Sequence, residues 1–268
     1  FRDITEAKRA EAQISFLSLY DPLTSLPNRQ LALDRLRRSL QAVAHDERCA
    51  ALLLLDLDGF KKVNDVFGHE AGDRILQHVA DRLPTHFLEG RETVARLGDD
   101  EFMVILDELG PDWHQAGERA WAVADALQRL LAEPYHLYDS IQNLSASIGI
   151  RVFDSRDKDS EKLLREADIA SHAAKSSQTG IDAFRAEMSA TVALRVQLES
   201  EIREGLAREE FLPWYQPQID AEGRIIGAEA LARWQHPRRG LLTPGVFISV
   251  AEESALIEQM GRMMLDAA

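Results

Sequence analysis

Asp56-Leu57-Asp58-Gly59 follows an unbroken apolar run, Ala50 to Leu55. Gly98-Asp99-Asp100-Glu101 separates two strand-like runs, Val94 to Leu97 and Phe102 to Leu106. Both stretches concentrate carboxylates where strands are expected to end. If the strands are neighbours, Asp56 and Asp100 meet at one edge of a sheet. Hard oxygen donors gathered in this way suit Mg2+ (or Mn2+), and Mg2+ commonly works with one or two carboxylates plus the phosphates of a substrate. Such an ion polarises a phosphoryl group and acidifies an attacking hydroxyl. The same residues also fit a solvated loop edge, so spacing alone leaves both readings open.

The elements that must position these carboxylates alternate. The run Ala50 to Leu55 is short enough to be a buried strand, and the two runs around Gly98 to Glu101 read as a hairpin. Helices are expected from about Arg29 to Ala44, Gly72 to Phe87, Gln115 to Leu131 and Glu161 to Ser176, with strands near Tyr135 to Tyr138 and Leu144 to Phe153. This order gives an α/β domain with a central sheet flanked by helices. A charged helix, Glu187 to Arg208, leads to a second part with strands around Phe211 to Pro217 and Ile225 to Leu231, then helices near Pro244 to Glu253 and Ala255 to Ala268. The first segment, Asp3 to Leu19, reads as a helix able to pair with a second copy, stopped by Asp21-Pro22.

Composition narrows the function classes. The 268 residues are 45% apolar, enough for one large domain or two smaller ones. A net charge of −14 repels a phosphate backbone and argues against non-specific nucleic-acid binding. Any nucleotide site must therefore overcome a repulsive field with a metal or a few placed cations. No apolar run is long enough to span a bilayer, and no signal peptide opens the sequence. Cys49 has no second cysteine to pair with, so nothing demands an oxidising compartment, and a cytoplasmic location is expected.

Ordered motifs between Asp21 and Gly180 resemble those of the GGDEF domain family. Asp21-Pro22-Leu23-Thr24-Ser25-Leu26-Pro27-Asn28-Arg29 is similar to D-x-L-T-x-L-x-N-R, and Asp56 to Asp65 to D-x-D-x-F-K-x-x-N-D. Gly68-His69-Glu70-Ala71-Gly72-Asp73 resembles G-H-x-x-G-D, Arg96 to Phe102 the signature, and Ser147-Ile148-Gly149 the S-x-G strand. The resemblance implies a nucleotidyl-cyclase-like fold over 21–186. It implies that Asp56 and Asp100 hold Mg2+ (or Mn2+) with help from the Leu57 carbonyl, and that Asp100 and Lys61 serve catalysis. Asn64 and Asp73 would read the guanine edge of GTP, Lys61 and Lys175 would face the phosphates, and Gly98 and Asp99 would border the nucleotide. The family's reaction joins two GTP into cyclic di-GMP across a face-to-face homodimer, formed through this domain or the preceding helix.

This copy departs from the pattern. Asp99 stands where the family has its second glycine, and a like charge about 4 Å from a phosphate oxygen costs about 4 kcal/mol at an effective dielectric of about 20. Thr179 falls where a phosphate-binding arginine is expected, although Arg185 lies nearby. Glu89-Gly90-Arg91-Glu92 lacks the R-x-x-D pattern of the family's product-inhibition site. His172 takes a usual tyrosine position as a packing variant. These departures favour a domain that binds GTP weakly, or not at all, and regulates a neighbour; an active diguanylate cyclase and a non-enzymatic nucleotide receptor or scaffold are the alternatives.

The second part resembles the start of an EAL domain, through Phe211 to Pro217, Glu229-Ala230-Leu231-Ala232-Arg233-Trp234 and His236-Pro237. Such domains resemble TIM-type barrels that hydrolyse cyclic di-GMP. The resemblance makes Glu229 a metal ligand, with Gln216 and Arg233 as ligand contacts. Residues 209–268 are too few for a whole barrel, so this portion is expected to be inactive alone. Residues 187–208 are the connecting helix, and residues 1–20 resemble the linker that follows a PAS-type sensor.

Overall fold

A computed structural model describes residues 18–85, 92–137 and 140–267. The expected first helix up to Leu17 and most of the 89–92 window lie outside the described residues. Two compact units divide the chain, residues 1–188 and 189–268.

The first unit is organised around β1 (Ala50–Asp58), whose apolar run is continuous because both faces of the strand are covered. Side chains alternate along a strand. Ala51, Leu53, Leu55 and Leu57 enter one core, while Ala50, Leu52 and Leu54 enter another. The first core is closed by α3 (His69–Thr85) and α4 (Trp113–Leu131), the second by α1 (Arg29–Asp46) and α5 (Ser160–Ser176). A short α2 (Phe60–Phe67) follows β1 after Gly59, whose φ of 80° suits a residue without Cβ.

Five strands form the sheet in the order β2-β3-β1-β6-β7. β2 (Thr93–Arg96), β3 (Glu101–Leu106), β1 and β6 (Ser145–Phe153) pair antiparallel in succession, and β7 (Ile181–Ala183) joins β6 in parallel. β4 (Tyr135–Leu137) and β5 (Ser140–Gln142) make a separate small ladder. The sequence reading of an α/β domain with a helix-flanked sheet holds, and β2 and β3 form the expected hairpin.

One boundary needs correction. Asp56 and Asp58 do not lie in a loop after the strand; they are its last residues. Asp56 is opposite Glu101 in β3 and Ser147 in β6. The ladder continues because neighbours on both sides still satisfy the backbone, and polar side chains at a strand's end do not interrupt it.

The second unit takes in most of α6 (Ala186–Ala207) and three antiparallel strands in the order β10-β9-β8. These are β8 (Phe211–Ile219), β9 (Ile225–His236) and β10 (Gly240–Leu242), followed by α7 (Pro244–Glu253) and α8 (Ile257–Asp266). Trp234 is fully buried, stacked on Phe211 at 4.8 Å between centroids, with Phe247 edge-on at 5.9 Å. Its indole N–H donates to Glu210 at 3.0 Å, so the aromatic centre leaves no orphaned donor.

Candidate functional site

The antiparallel pairing of β1 with β3 brings the two acidic stretches together. The Leu57 amide donates to the Asp100 carbonyl at 3.2 Å, fastening the signature turn to the end of β1. Burial pushes the Asp100 carboxyl above the usual carboxylate range, and the charge of Asp56 adds to the rise. Burial likewise raises Glu101, helped by Asp168 and Asp56. The edge therefore gathers Asp56, Asp100 and Glu101, carboxylates close enough to feel one another's charge.

Lys175, in the last turn of α5, answers part of it. Its Nζ lies 2.5 Å from Oδ1 of Asp56 and 3.8 Å from Oδ1 of Asp58. Desolvation alone would lower the Lys175 pKa; the hydrogen bond to Asp56 and the charges of Asp56, Asp58 and Asp100 outweigh it and raise the value. Asp58 also accepts from the hydroxyls of Ser145 and Ser147, each at 2.9 Å. The S-x-G strand thus serves twice. Ser147 holds Asp58, and Gly149 lets α5 rest directly on β6. A Cβ at Gly149 would fall 2.1 Å from the Ala167 carbonyl oxygen and 2.3 Å from the Ser171 nitrogen.

A second brace comes from Asp21 and Arg96. Arg96 donates to Oδ1 of Asp21 at 3.0 Å and to the carbonyls of Gly98 and Asp99, each at 3.0 Å. Asp21 accepts from the amide and hydroxyl of Thr24 at 2.9 and 2.6 Å. Burial pushes Asp21 upward, but the Thr24 hydrogen bonds and Arg96 overcome it and hold its carboxyl below the usual range. Asn28 caps α1 by accepting from Gln30 and Leu31 amides. The first motif is therefore a buttress for the signature turn.

Asn64 lies on α2, and Gly72 of α3 makes room for it: a Cβ there would sit 2.0 Å from the Asn64 side-chain oxygen. Lys61 and Asp73 are exposed on α2 and α3. Among the described residues no three His, Cys, Asp or Glu side chains cluster closely enough to hold a metal by themselves. Asp56, Asp100 and the Leu57 carbonyl nevertheless fit a hard divalent ion that draws its remaining ligands from a substrate. Burial does most to raise Asp100; the charge of Asp56, which adds to that rise, is what such an ion would neutralise.

In the second unit, Gln216 is directly opposite Glu229, and Arg233 is opposite Leu212. Period-two alternation puts Gln216, Glu229, Arg233, Trp214 and Leu231 on one face of the hairpin, away from the face carrying Phe211 and Trp234. The Arg233 guanidinium lies 5.7 Å from the centre of the Trp214 ring.

Residues 18–180 match the model described as "Diguanylate cyclase, GGDEF domain", and residues 199–268 match the EAL domain model. The chain belongs to the GGDEF family. Its C-terminal part carries the start of an EAL domain. It is 38% identical over 98% of its length to the bifunctional diguanylate cyclase/cyclic di-GMP phosphodiesterase MucR of Pseudomonas aeruginosa, covering 38% of that protein. It is 34% identical over 98% of its length to the cyclic di-GMP phosphodiesterase PdeR of Escherichia coli, covering 39%. The chain thus spans well under half of these relatives. The GGDEF domain structure of TpbB (YfiN) from Pseudomonas aeruginosa superposes with a TM-score of 0.59 at 33% identity, covering 65% of this chain and 99% of that one.

Within this GGDEF chain, Asp99 is exposed and is not among the residues with positive φ. The turn accepts a side chain there without backbone strain. The Thr179 hydroxyl bonds to Ser177 at 2.9 Å and donates to the Ile181 carbonyl at 3.2 Å. Arg185 is paired with Asp182 at 2.9 Å. β7 runs parallel to β6, away from the carboxylates, which carries Arg185 toward the far end of the sheet. Arg96, Asp21, Asp58 and Ser145 escaped the site reading, because their partners are distant in sequence. Alternation along β1 and β6 is the signal that would have paired Asp58 with Ser145 and Ser147.

Proposed function

We propose that the GGDEF domain binds GTP with Mg2+ (or Mn2+), weakly at its phosphate end, and regulates cyclic di-GMP hydrolysis by a complete EAL domain in the whole protein. Asp56, Asp100 and the Leu57 carbonyl would hold the ion, which when bound polarises a phosphoryl group and acidifies a hydroxyl. Asn64 and Asp73 would accept from the guanine edge, which adenine cannot imitate. Lys61 and Lys175 would contact phosphates, with Gly98 and Asp99 along the nucleotide. The observation that carries this reading is the phosphate end: Thr179 satisfies its hydroxyl locally, and Arg185 is committed to Asp182. One charge-assisted contact fewer removes about 1.5–3 kcal/mol. Glu229, Gln216 and Arg233 would form the first part of the EAL site. A cytoplasmic location follows from this reading, since GTP is supplied there.

A second reading, an active diguanylate cyclase working as a homodimer, is favoured by the unstrained, outward Asp99. Incubation of the purified chain with GTP and Mg2+ separates the two. The regulatory reading expects calorimetric binding of a non-hydrolysable GTP without cyclic di-GMP formation; rapid, dimer-dependent synthesis would overturn it.

A further inference from the structure

We propose that Lys175 is a resident counter-cation that a divalent ion must displace from Asp56, so that metal binding in this chain depends on the arrival of a phosphate to receive the lysine. The inference rests on the reading of Asp56 and Asp100 as metal ligands.

The Lys175 ammonium is in contact with Oδ1 of Asp56 at 2.5 Å. An oxygen engaged there cannot also face a hard cation at about 2.1 Å without bringing two positive charges together. Lys175 is therefore a competitor for the ion. It is also a movable one, because its side chain is half exposed and its stem is flexible. A destination exists beside it. A cavity of about 340 Å³ is lined by Asp58, Ser147, Lys175, Thr179 and Gly180, and Asp58 stands 3.8 Å from Nζ. Thr179 brings a hydroxyl to that cavity and no charge. A phosphate there would draw Lys175 away from Asp56 and leave the carboxylate open. By linkage, what the phosphate gains from a vacated Asp56 the ion gains from a displaced Lys175.

The test is Mn2+ binding followed by electron paramagnetic resonance, on the whole chain, with and without a non-hydrolysable GTP analogue. Without nucleotide, Lys175→Met is expected to bind Mn2+ roughly fivefold more tightly than the parent chain, the factor set by loss of one partly exposed ion pair. The analogue should strengthen Mn2+ binding in the parent and lose most of that effect in the variant. Lys175→Arg should behave as the parent. Lys175→Gln carries the same expectation as Lys175→Met, and in both the rise in Tm on adding Mn2+ should exceed that of the parent. Unchanged or weaker Mn2+ binding by both neutral variants, while Asp56→Asn abolishes it, would overturn the inference and leave the metal site standing. Mn2+ binding indifferent to Asp56→Asn would remove the metal site and the inference together.

Discussion

Asp56 and Asp58 of the GGDEF unit and the polar residues of the EAL unit are all held on antiparallel strands, yet their settings differ. Asp56 lies near the end of a strand that is paired on both sides and covered by helices on both faces. Gln216, Glu229 and Arg233 share a hairpin face on which Trp214 is 51% exposed, and Ile225 and Ile226 near the turn are 69% exposed or more. In the first unit, ladder pairing and the contacts from Ser147 and Arg96 fix Asp56, Asp58 and the signature turn to their neighbours. In the second, strand register alone sets which groups stand together. A site of the first kind is sensitive to changes in the backbone around it; one of the second kind is sensitive only to its own side chains.

The largest test of that contrast is Gly149→Ala. The new methyl meets backbone atoms of α5, which cannot rotate aside, so urea unfolding should show a loss of about 3 kcal/mol. Next comes the brace between Asp21 and Arg96. Asp21→Ala and Arg96→Met should each cost about 2 kcal/mol, and a double-mutant cycle should show a coupling above about 1 kcal/mol, because each removes the other's largely buried partner. Additive losses would mean that the signature turn does not depend on the pair. Thr179→Arg should tighten binding of a GTP analogue about tenfold in calorimetry, by restoring a charge-assisted contact at the phosphate end.

Acidity gives a smaller effect with a definite sign. Asp100 has a folded pKa above its ordinary value of 3.8, so the folded chain holds this proton more tightly than the unfolded chain. Its contribution to metal-free stability is present at low pH and is lost as pH rises through the raised value. Mn2+ affinity should move the other way, falling as the medium is acidified through that range, and Asp100→Asn should flatten the profile. Asp21 is lowered, so its stabilisation is present above 3.8 and disappears only on stronger acidification. The smallest effect belongs to the second unit: Trp214→Ser should change its stability by less than about 0.5 kcal/mol in a thermal melt, because the ring is half exposed.

Much of this was legible in the chain. The apolar run before Asp56 and the breaks around Gly98 and Glu101 announced two strands, and the structure pairs them. What alternation along a single run cannot reveal is how far a ladder continues past its last apolar residue. Asp56 and Asp58 therefore read as loop. β7 and β10 have three residues each, too few for a period to show. α2 spans only eight residues, barely two helical turns, too few for a period to show. The bond between Arg96 and Asp21 joins positions 75 apart, and no local pattern encodes such a meeting. The motifs named the polar residues; the sheet shows which of them touch.

With no side chain between Gly149 and the backbone of α5, that helix is seated on the strand like a key in a keyway. It has little freedom to glide or roll. Movement at the charged rim is therefore left to torsions about the Lys175 stem, which turn over in picoseconds to nanoseconds. A response built this way keeps pace with ligand arrival, and what it sends onward is a change in electric field, with no need for a displaced helix.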